Sequence, residues 1–364
     1  MIEEIARKPS IQLFWNKKNV TNKIEQYASK ITYMDHEEEA SDEVELVLDN
    51  TTGIWFEEWY PTAGDTLQLR FGYPDKMIDS GLYQVDEITL TGVPDQITIK
   101  ALAAGITDAL RTRNNKAFEE QTLRQIANYF CVKHGFTLVD GSNMLSQIWL
   151  DRKTQEMKTD MAFLSELAKE YGFLFSIKGK KMVFISYYDL ENTDSVAEVY
   201  KTKLKDYSIT EKTYDTYASA EIRQRNPKKG KLVTSNNTYD GWGTTVKEKL
   251  IVSGHASTAN QAEAKVKGGL WGKNKYKQSG TITIPGEPSL IAGQNLDLTG
   301  FGMGSGKYHV VTSTHTIDQS GYTTSMEIRK TGTIPKPKRI PRTSKPKPTL
   351  TEQAQEDTGE WSEY

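Results

Sequence analysis

The chain has 364 residues, more than one hydrophobic core usually serves, so roughly two to four domains are expected. Its 37% hydrophobic and 10% aromatic content can fill such cores, which excludes a disordered polymer. Lys and Arg number 46 against 48 Asp and Glu, a formal net charge of −2 without the basic excess of a phosphate-gripping protein, and the single cysteine, Cys131, excludes an intramolecular disulfide or a thiolate zinc cage.

The N-terminal segment Met1-Ile2-Glu3-Glu4-Ile5-Ala6-Arg7-Lys8 lacks the apolar core of a signal peptide. No stretch approaches the roughly 20 apolar residues that span a bilayer. A soluble product made in a cytosol, with no membrane insertion, is expected. Sequons such as Asn50-Thr51-Thr52 then carry no glycosylation meaning.

The first third reads as β structure. Ile11–Trp15 and Val44–Leu48 are short apolar runs bounded by polar or turn residues. Thr66–Phe71 alternates, which puts Leu67, Leu69 and Phe71 on one strand face, and Gly72-Tyr73-Pro74-Asp75 reads as a loop. Ile97–Lys100 has the β-branched content of a half-buried pleat.

The period then changes. Thr122 and Gln125 form a capping-box pair ahead of a helical stripe of Leu123, Ile126, Ala127, Phe130 and Cys131, with Gly135 as a left-handed stop. A second helix opens near Thr159 or Asp160, carries Met161, Leu164, Leu167, Ala168 and Tyr171, and ends at Gly172. A hairpin follows, with strands 173–177 and 182–185 around Lys178-Gly179-Lys180.

Beyond Asp194 the β pattern returns at Ser219–Arg223, and the Gly/Asn/Lys-rich stretch 226–243 reads as a long mobile loop. Thr258 and Gln261 repeat the capping logic before a helix through Ala262, Ala264, Val266 and Leu270. Thr281–Ile284 and Asn295–Leu298 alternate as strands. From Thr333 to Thr349, Pro335, Pro337, Pro341, Pro346 and Pro348 interleave with Lys336, Lys338, Arg339, Arg342, Lys345 and Lys347. Such a segment is expected to be extended, and an acidic end follows it.

The two β-rich halves are weakly self-similar. Ala63–Leu69 aligns with Ala292–Leu298, Tyr83 and Val85 with Tyr308 and Val310, and Gly92, Ile97, Ile99 and Lys100 with Gly321, Met326, Ile328 and Arg329. Strand–turn–strand units share Gly and alternating apolars in any case. The common order favours duplication of one domain.

Candidate chemistry is weak throughout. His309 and His315 share strand parity, but six residues at about 3.3 Å each hold them roughly 20 Å apart, too far for one metal. His36 beside Asp35, Glu37, Glu38 and Glu39 reads as a solvated acidic loop. Cys131 with His134 one turn on invites a thiol-catalysis reading, yet a buried structural cysteine is the commoner case. Glu166 and Glu170 read as a solvated helix face and not as the desolvated acid pair of a glycosidase. Gly300–Gly306 precedes a strand and lacks the helix N-terminus of a phosphate loop, so it reads as a hairpin loop. No catalytic, cofactor or metal residue is assigned. The residues expected to contact a partner are Pro335, Lys336, Pro337, Lys338, Arg339, Arg342, Lys345 and Lys347, whose proline-spaced charges suit a partner groove.

From about Gly64 to Ile328 the chain also resembles the late-control protein D family of contractile-tailed phages. The resemblance is carried by Gly81–Ile88, Gly92–Ala101, Thr159–Leu164 with Leu167-Ala168, and Lys178–Phe184. Gly286-Glu287-Pro288, Gly300-Phe301, His309-Val310-Val311 and Gly321–Ile328 continue it. The family has a longer basic insertion where this chain has only Asn226-Pro227-Lys228-Lys229-Gly230-Lys231, so a role tied to that insertion does not carry over.

The resemblance implies a non-enzymatic baseplate hub, related to the base of type VI secretion spikes. A homotrimer is implied whose paired tube-like domains make a pseudo-sixfold ring between a hexameric tail tube and a trimeric central spike. Other baseplate proteins and the tape measure protein are implied neighbours, and DNA is expected to cross the channel without sequence-specific binding. The place of such a protein is the virion baseplate, after assembly in the host cytoplasm. The fold expected is α+β, mainly β. Two tube-like β-barrel domains, 1–115 and 191–332, flank an α/β domain at 116–190, and a Pro/Lys-rich tail covers 333–364. A tail-associated peptidoglycan hydrolase or a wall-binding module is the alternative.

Overall fold

Alternating apolar residues build most of this molecule into strands. The computed structural model describes residues 7–37, 41–103, 110, 112–225, 232–238 and 247–331. In chain order the first strands are β1 (Ser10–Trp15), β2 (Lys18–Asn19), β3 (Ala28–His36), β4 (Glu43–Asp49), β5 (Thr66–Tyr73), β6 (Lys76–Thr91) and β7 (Gln96–Ala103). The middle of the chain gives β8 (Arg113–Thr122), β9 (Thr137–Asp140), β10 (Trp149–Thr159), β11 (Phe173–Lys178) and β12 (Lys181–Ser186). Then come β13 (Ser195–Tyr200), β14 (Asp206–Glu211), β15 (Ser219–Arg225), β16 (Leu232–Thr238) and β17 (Lys249–Ile251). The last are β18 (Gln278–Pro285), β19 (Asn295–Thr299), β20 (Gly306–Asp318) and β21 (Gly321–Lys330).

The protein is mainly β, as expected, but the expected barrels are not seen as closed units. Among the described residues 13 strands form one open sheet in the order β14-β18-β21-β20-β3-β4-β7-β6-β5-β1-β2, with β19 joining β20 and β13 joining β19. Both halves of the chain lie in it, joined where β3 pairs antiparallel with β20. The first half buries Leu13, Leu46, Leu67, Leu69, Phe71 and Ile99 in one core, and the second buries Ile282, Leu296, Val310, Met326 and Ile328 in another.

The internal repeat is present in the hydrogen bonding. The first half runs β3-β4-β7-β6-β5-β1 and the second β14-β18-β21-β20-β19-β13, the same order. Gly64 N–H donates to Val85 O at 3.0 Å and Val85 N–H to Asp65 O at 2.8 Å; Gly293 N–H donates to Val310 O at 2.9 Å and Val310 N–H to Gln294 O at 2.8 Å. Both turns put glycine at positive φ, 95° at Gly64 and 82° at Gly293, which side-chain-bearing residues rarely adopt. Each ladder then shows a bulge one residue later, at Asp86 and at Val311. The last strands correspond differently from the sequence alignment. Val85 lies opposite Ala101 and Val310 opposite Ile328, so Ile99, not Ile97, is the counterpart of Met326. The two hairpins differ in length, and a slip of two residues keeps every inward side chain inward. The halves diverge at one strand: β1 is antiparallel to β5, whereas β13 is parallel to β19.

Two excursions leave the sheet. In the first, the helices Leu123–His134 and Asp160–Glu170 pack on the β9/β11/β12 sheet and on the β8·β10 ribbon around Phe130, Phe163, Leu167 and Phe184. Both helices begin as expected: Thr122 accepts from Gln125 N–H in a full capping box, and Thr159 accepts from Ala162 N–H. In the second, β15, β16 and β17 form a small sheet under the helix Ala259–Asn274. The stretch read as a mobile loop therefore contains a strand, β16, whose register with β15 runs from Ser219↔Thr238 to Arg225↔Leu232. That helix meets the first excursion at two glycines: a Cβ on Gly268 would lie 2.5 Å from the Gly172 nitrogen, so only glycine permits the approach. No helix among the described residues is long and apolar enough to cross a membrane.

Candidate functional site

The seam between the two halves concentrates the buried polar groups. It is built by β3, whose residues His36 to Lys30 pair with Thr312 to Asp318 of β20. On one face lies a charged network. His309 Nε2 bonds the Glu37 carboxylate, and its Nδ1 faces Asn295 Oδ1 at 2.7 Å. Arg329 bonds Glu191, lies 3.8 Å from Glu37, and sits over the Trp271 ring at 4.6 Å. Burial works against the Glu37 carboxylate, yet His309 and Arg329 hold it below the usual range. Burial, with Arg329 beside it, depresses the His309 imidazole despite Glu37.

A second cluster ties the seam to the first excursion. Lys178 Nζ, at the end of β11, reaches Asp35 at 2.6 Å and Asp42 at 2.8 Å, and Ala292 N–H donates to the other Asp35 oxygen at 3.0 Å. Burial pushes the Asp35 carboxyl up to about 7, with Lys178 pulling against it. The reading of Asp35 and Glu37 as parts of a solvated acidic loop is therefore corrected: both are buried, because cations far along the chain cover them. Glu38 and Glu39 lie outside the described residues. The third cluster is apolar in character. His315, 1% exposed, bonds Tyr322 OH at 2.8 Å and Ser313 Oγ at 3.0 Å and stacks on Tyr33 at 5.9 Å. Burial pulls its imidazole down to about 4.

The other sequence candidates fall into structural roles. His309 and His315 occupy separate networks, and among the described residues no group of three or more His, Cys, Asp or Glu is placed to hold a metal. Cys131 is buried against Met182 with its thiol pushed up to about 11 by burial, while His134 turns to Asp160 at 2.7 Å. Asp160 also takes Lys133 at 2.5 Å and Gln155 at 2.7 Å, so it locks the helix start to the ribbon and the preceding helix. Glu166 bonds Lys158 on an exposed face, as expected. Glu170 does not lie on a solvated face: it bonds Lys153 and accepts from Lys265 at 2.6 Å, because the Ala259–Asn274 helix covers it. The stretch Gly300–Gly306 is a hairpin loop as read, with residues 300–305 joining β19 to β20 and Gly306 opening β20. The residues expected to contact a partner, Pro335, Lys336, Pro337, Lys338, Arg339, Arg342, Lys345 and Lys347, lie outside the described residues.

This arrangement is the fold of phage tail proteins. The 43 kDa tail protein of prophage MuSo2 from Shewanella oneidensis superposes with a TM-score of 0.68 at 15% identity, over 89% of this chain and 99% of that one. In sequence, the chain is 25% identical over 178 residues to the "Probable baseplate hub protein" of Escherichia phage 186, and 24% identical over 178 residues to its namesake in Escherichia phage P2. Each match spans 49% of this chain and 45% of the relative, less than half of those proteins' length. No family model matches the chain. The relatives are thus phage baseplate hub proteins, in line with the family resemblance carried by the motifs.

Proposed function

We propose that the protein is the structural baseplate hub of a contractile phage tail or a related injection particle. In this reading it is a homotrimer that adapts a hexameric tail tube to a trimeric central spike, with the other baseplate proteins and the tape measure protein as neighbours. It sits in the virion baseplate after assembly in the host cytoplasm, and DNA crosses its channel without sequence-specific contact. The observation that supports this best is the internal repeat: strand order, glycine clamp and bulge recur in both halves. Two tube-like units per chain, 1–115 and 191–332, give six similar units in a trimer, which is what a sixfold partner requires. The work is mechanical, not catalytic, and the charged clusters hold elements together at the seam.

The test is the native mass by light scattering, alone and with the candidate spike. Three times 41.1 kDa in either condition supports the hub. A monomer in both would overturn it.

A further inference from the structure

Among the described residues the one strand ladder that joins the two halves is β3 on the outer part of β20. By the repeat, the counterparts of these two edges are β14 and the far part of β6, and neither has a second partner strand among the described residues. The β5 ladder on β6 ends at Gln84, so on Glu87–Thr91 the described pairing is with β7 alone. In the second half the corresponding part of β20, beyond the β19 ladder, is the part that β3 covers. Likewise β14, the counterpart of β3, pairs with β18 only.

We propose that β14 of one copy pairs antiparallel with Glu87–Thr91 of the next, repeating between copies the β3·β20 joint within each copy. The inference rests on the proposed homo-oligomer and names the strands that close it. A head-to-tail contact of this kind closes into a ring in which in-chain and between-copy joints alternate. It also removes two free strand edges, which a solitary chain would expose to uncontrolled pairing.

The register follows from the repeat. The bulges equate Asp86 with Val311, hence Glu87 with Thr312 and Thr89 with Thr314. Leu46 lies opposite Ile99 and Ile31, and Ile282 opposite Met326 and Tyr207, which equates Ile31 with Tyr207 and Met34 with Thr210. Since Thr312 pairs with His36 and Thr314 with Met34, Glu87 falls opposite Lys212 and Thr89 opposite Thr210. Leu90 falls opposite Ile209, in the place that the buried His315 and Tyr33 hold at the in-chain joint. The chemistry suits a second copy. Glu87 and Lys212 are of opposite charge. Leu90 and Tyr207 are large apolar residues left 45% and 42% exposed on these edges. Glu37 N–H donates to Val311 O, so Thr314 and Met34 form a non-hydrogen-bonded pair, and Thr89 with Thr210 inherits that close spacing.

The experiment is oxidative cross-linking of the full-length Thr89→Cys/Thr210→Cys protein, alongside light scattering. Non-hydrogen-bonded neighbours stand at about 4.5 Å between Cα atoms, within disulfide reach. A covalent trimer is expected. Thr89→Cys/Glu211→Cys, whose second side chain points to the other face, should give none. Glu87→Lys should weaken trimer formation roughly tenfold, and Glu87→Lys/Lys212→Glu should restore it. A trimer that does not cross-link through Thr89 and Thr210 would overturn this joint and leave the hub reading standing. A monomer would overturn both.

Discussion

A buried neutral imidazole makes acid the condition under which the seam weakens. His315 sits among Tyr33, Phe71, Tyr322, Ser313 and Thr324, and burial sets its value at about 4 against an ordinary 6.5. The unfolded chain therefore takes up the proton first. The contribution of His315 is fully present above pH 6.5 and is lost as the pH falls toward 4. A shift of this size corresponds to at most about 3 kcal/mol. Asp35, raised to about 7, has the opposite sign: the folded state holds its proton more tightly, so that contribution is lost as the pH rises. The two are separated by comparing slopes. In urea titrations between pH 4 and 6.5, His315→Gln is expected to lose stability with acidification less steeply than the parent protein. Parallel slopes would show that His315 is not the acid-sensitive group.

At the scale of elements, β14 is held to the sheet through a position that only glycine can fill. A Cβ on Gly280 would lie 1.9 Å from the Ser208 carbonyl oxygen, in the middle of the β14·β18 ladder. Gly280→Ala is expected to destabilise the protein by about 1–3 kcal/mol. It should also loosen residues 206–211 selectively, because within one copy β14 is held on one edge while β18 keeps β21 on its other side. Hydrogen exchange reads this directly. Uniform loss of protection across the large sheet would show that β14 does not give way first.

The same elements show what the sequence could reveal. The capped helices were legible because their signals are local: a hydroxyl at the cap and apolar residues at helical spacing. The alternating strands β4, β5 and β7 were legible because one face is buried throughout. By contrast β3 turns Asp35 inward, and that makes sense only with Lys178 and the Ala292 N–H, residues far along the chain. The β8·β10 ribbon and β14 are largely polar and exposed, so neither carries an alternating signature. For the same reason the site was missed. In sequence Glu37 shows only as part of an acidic run and His309 only as a histidine too far from His315 to share a metal, and these two meet Glu191 and Arg329 only once the two halves share a sheet.

In the whole molecule, the described networks and strands are complete in themselves before the Pro/Lys-rich segment is reached. The seam networks end at Arg329, and the last sheet strand ends at Lys330. Removing the residues after Gly332 should thus leave the thermal midpoint essentially unchanged, within the roughly 0.5 kcal/mol typical of changes away from buried features. The trimer should survive as well, since the strands assigned to its joints are retained. What should fall is assembly with a neighbouring baseplate protein, and the loss should depend on salt. The cations Lys336, Lys338, Arg339, Arg342, Lys345 and Lys347 supply charge, while the prolines between them favour an extended backbone that loses little entropy on docking. Replacing those six cations with Gln while keeping the prolines separates the two contributions. If charge carries the contact, this variant should bind as weakly as the truncated chain at low salt. If the proline frame carries it, binding should persist and lose its salt dependence. Co-sedimentation with the rest of the baseplate at two ionic strengths decides between them, and unchanged assembly of the truncated chain would remove the segment from the interface altogether.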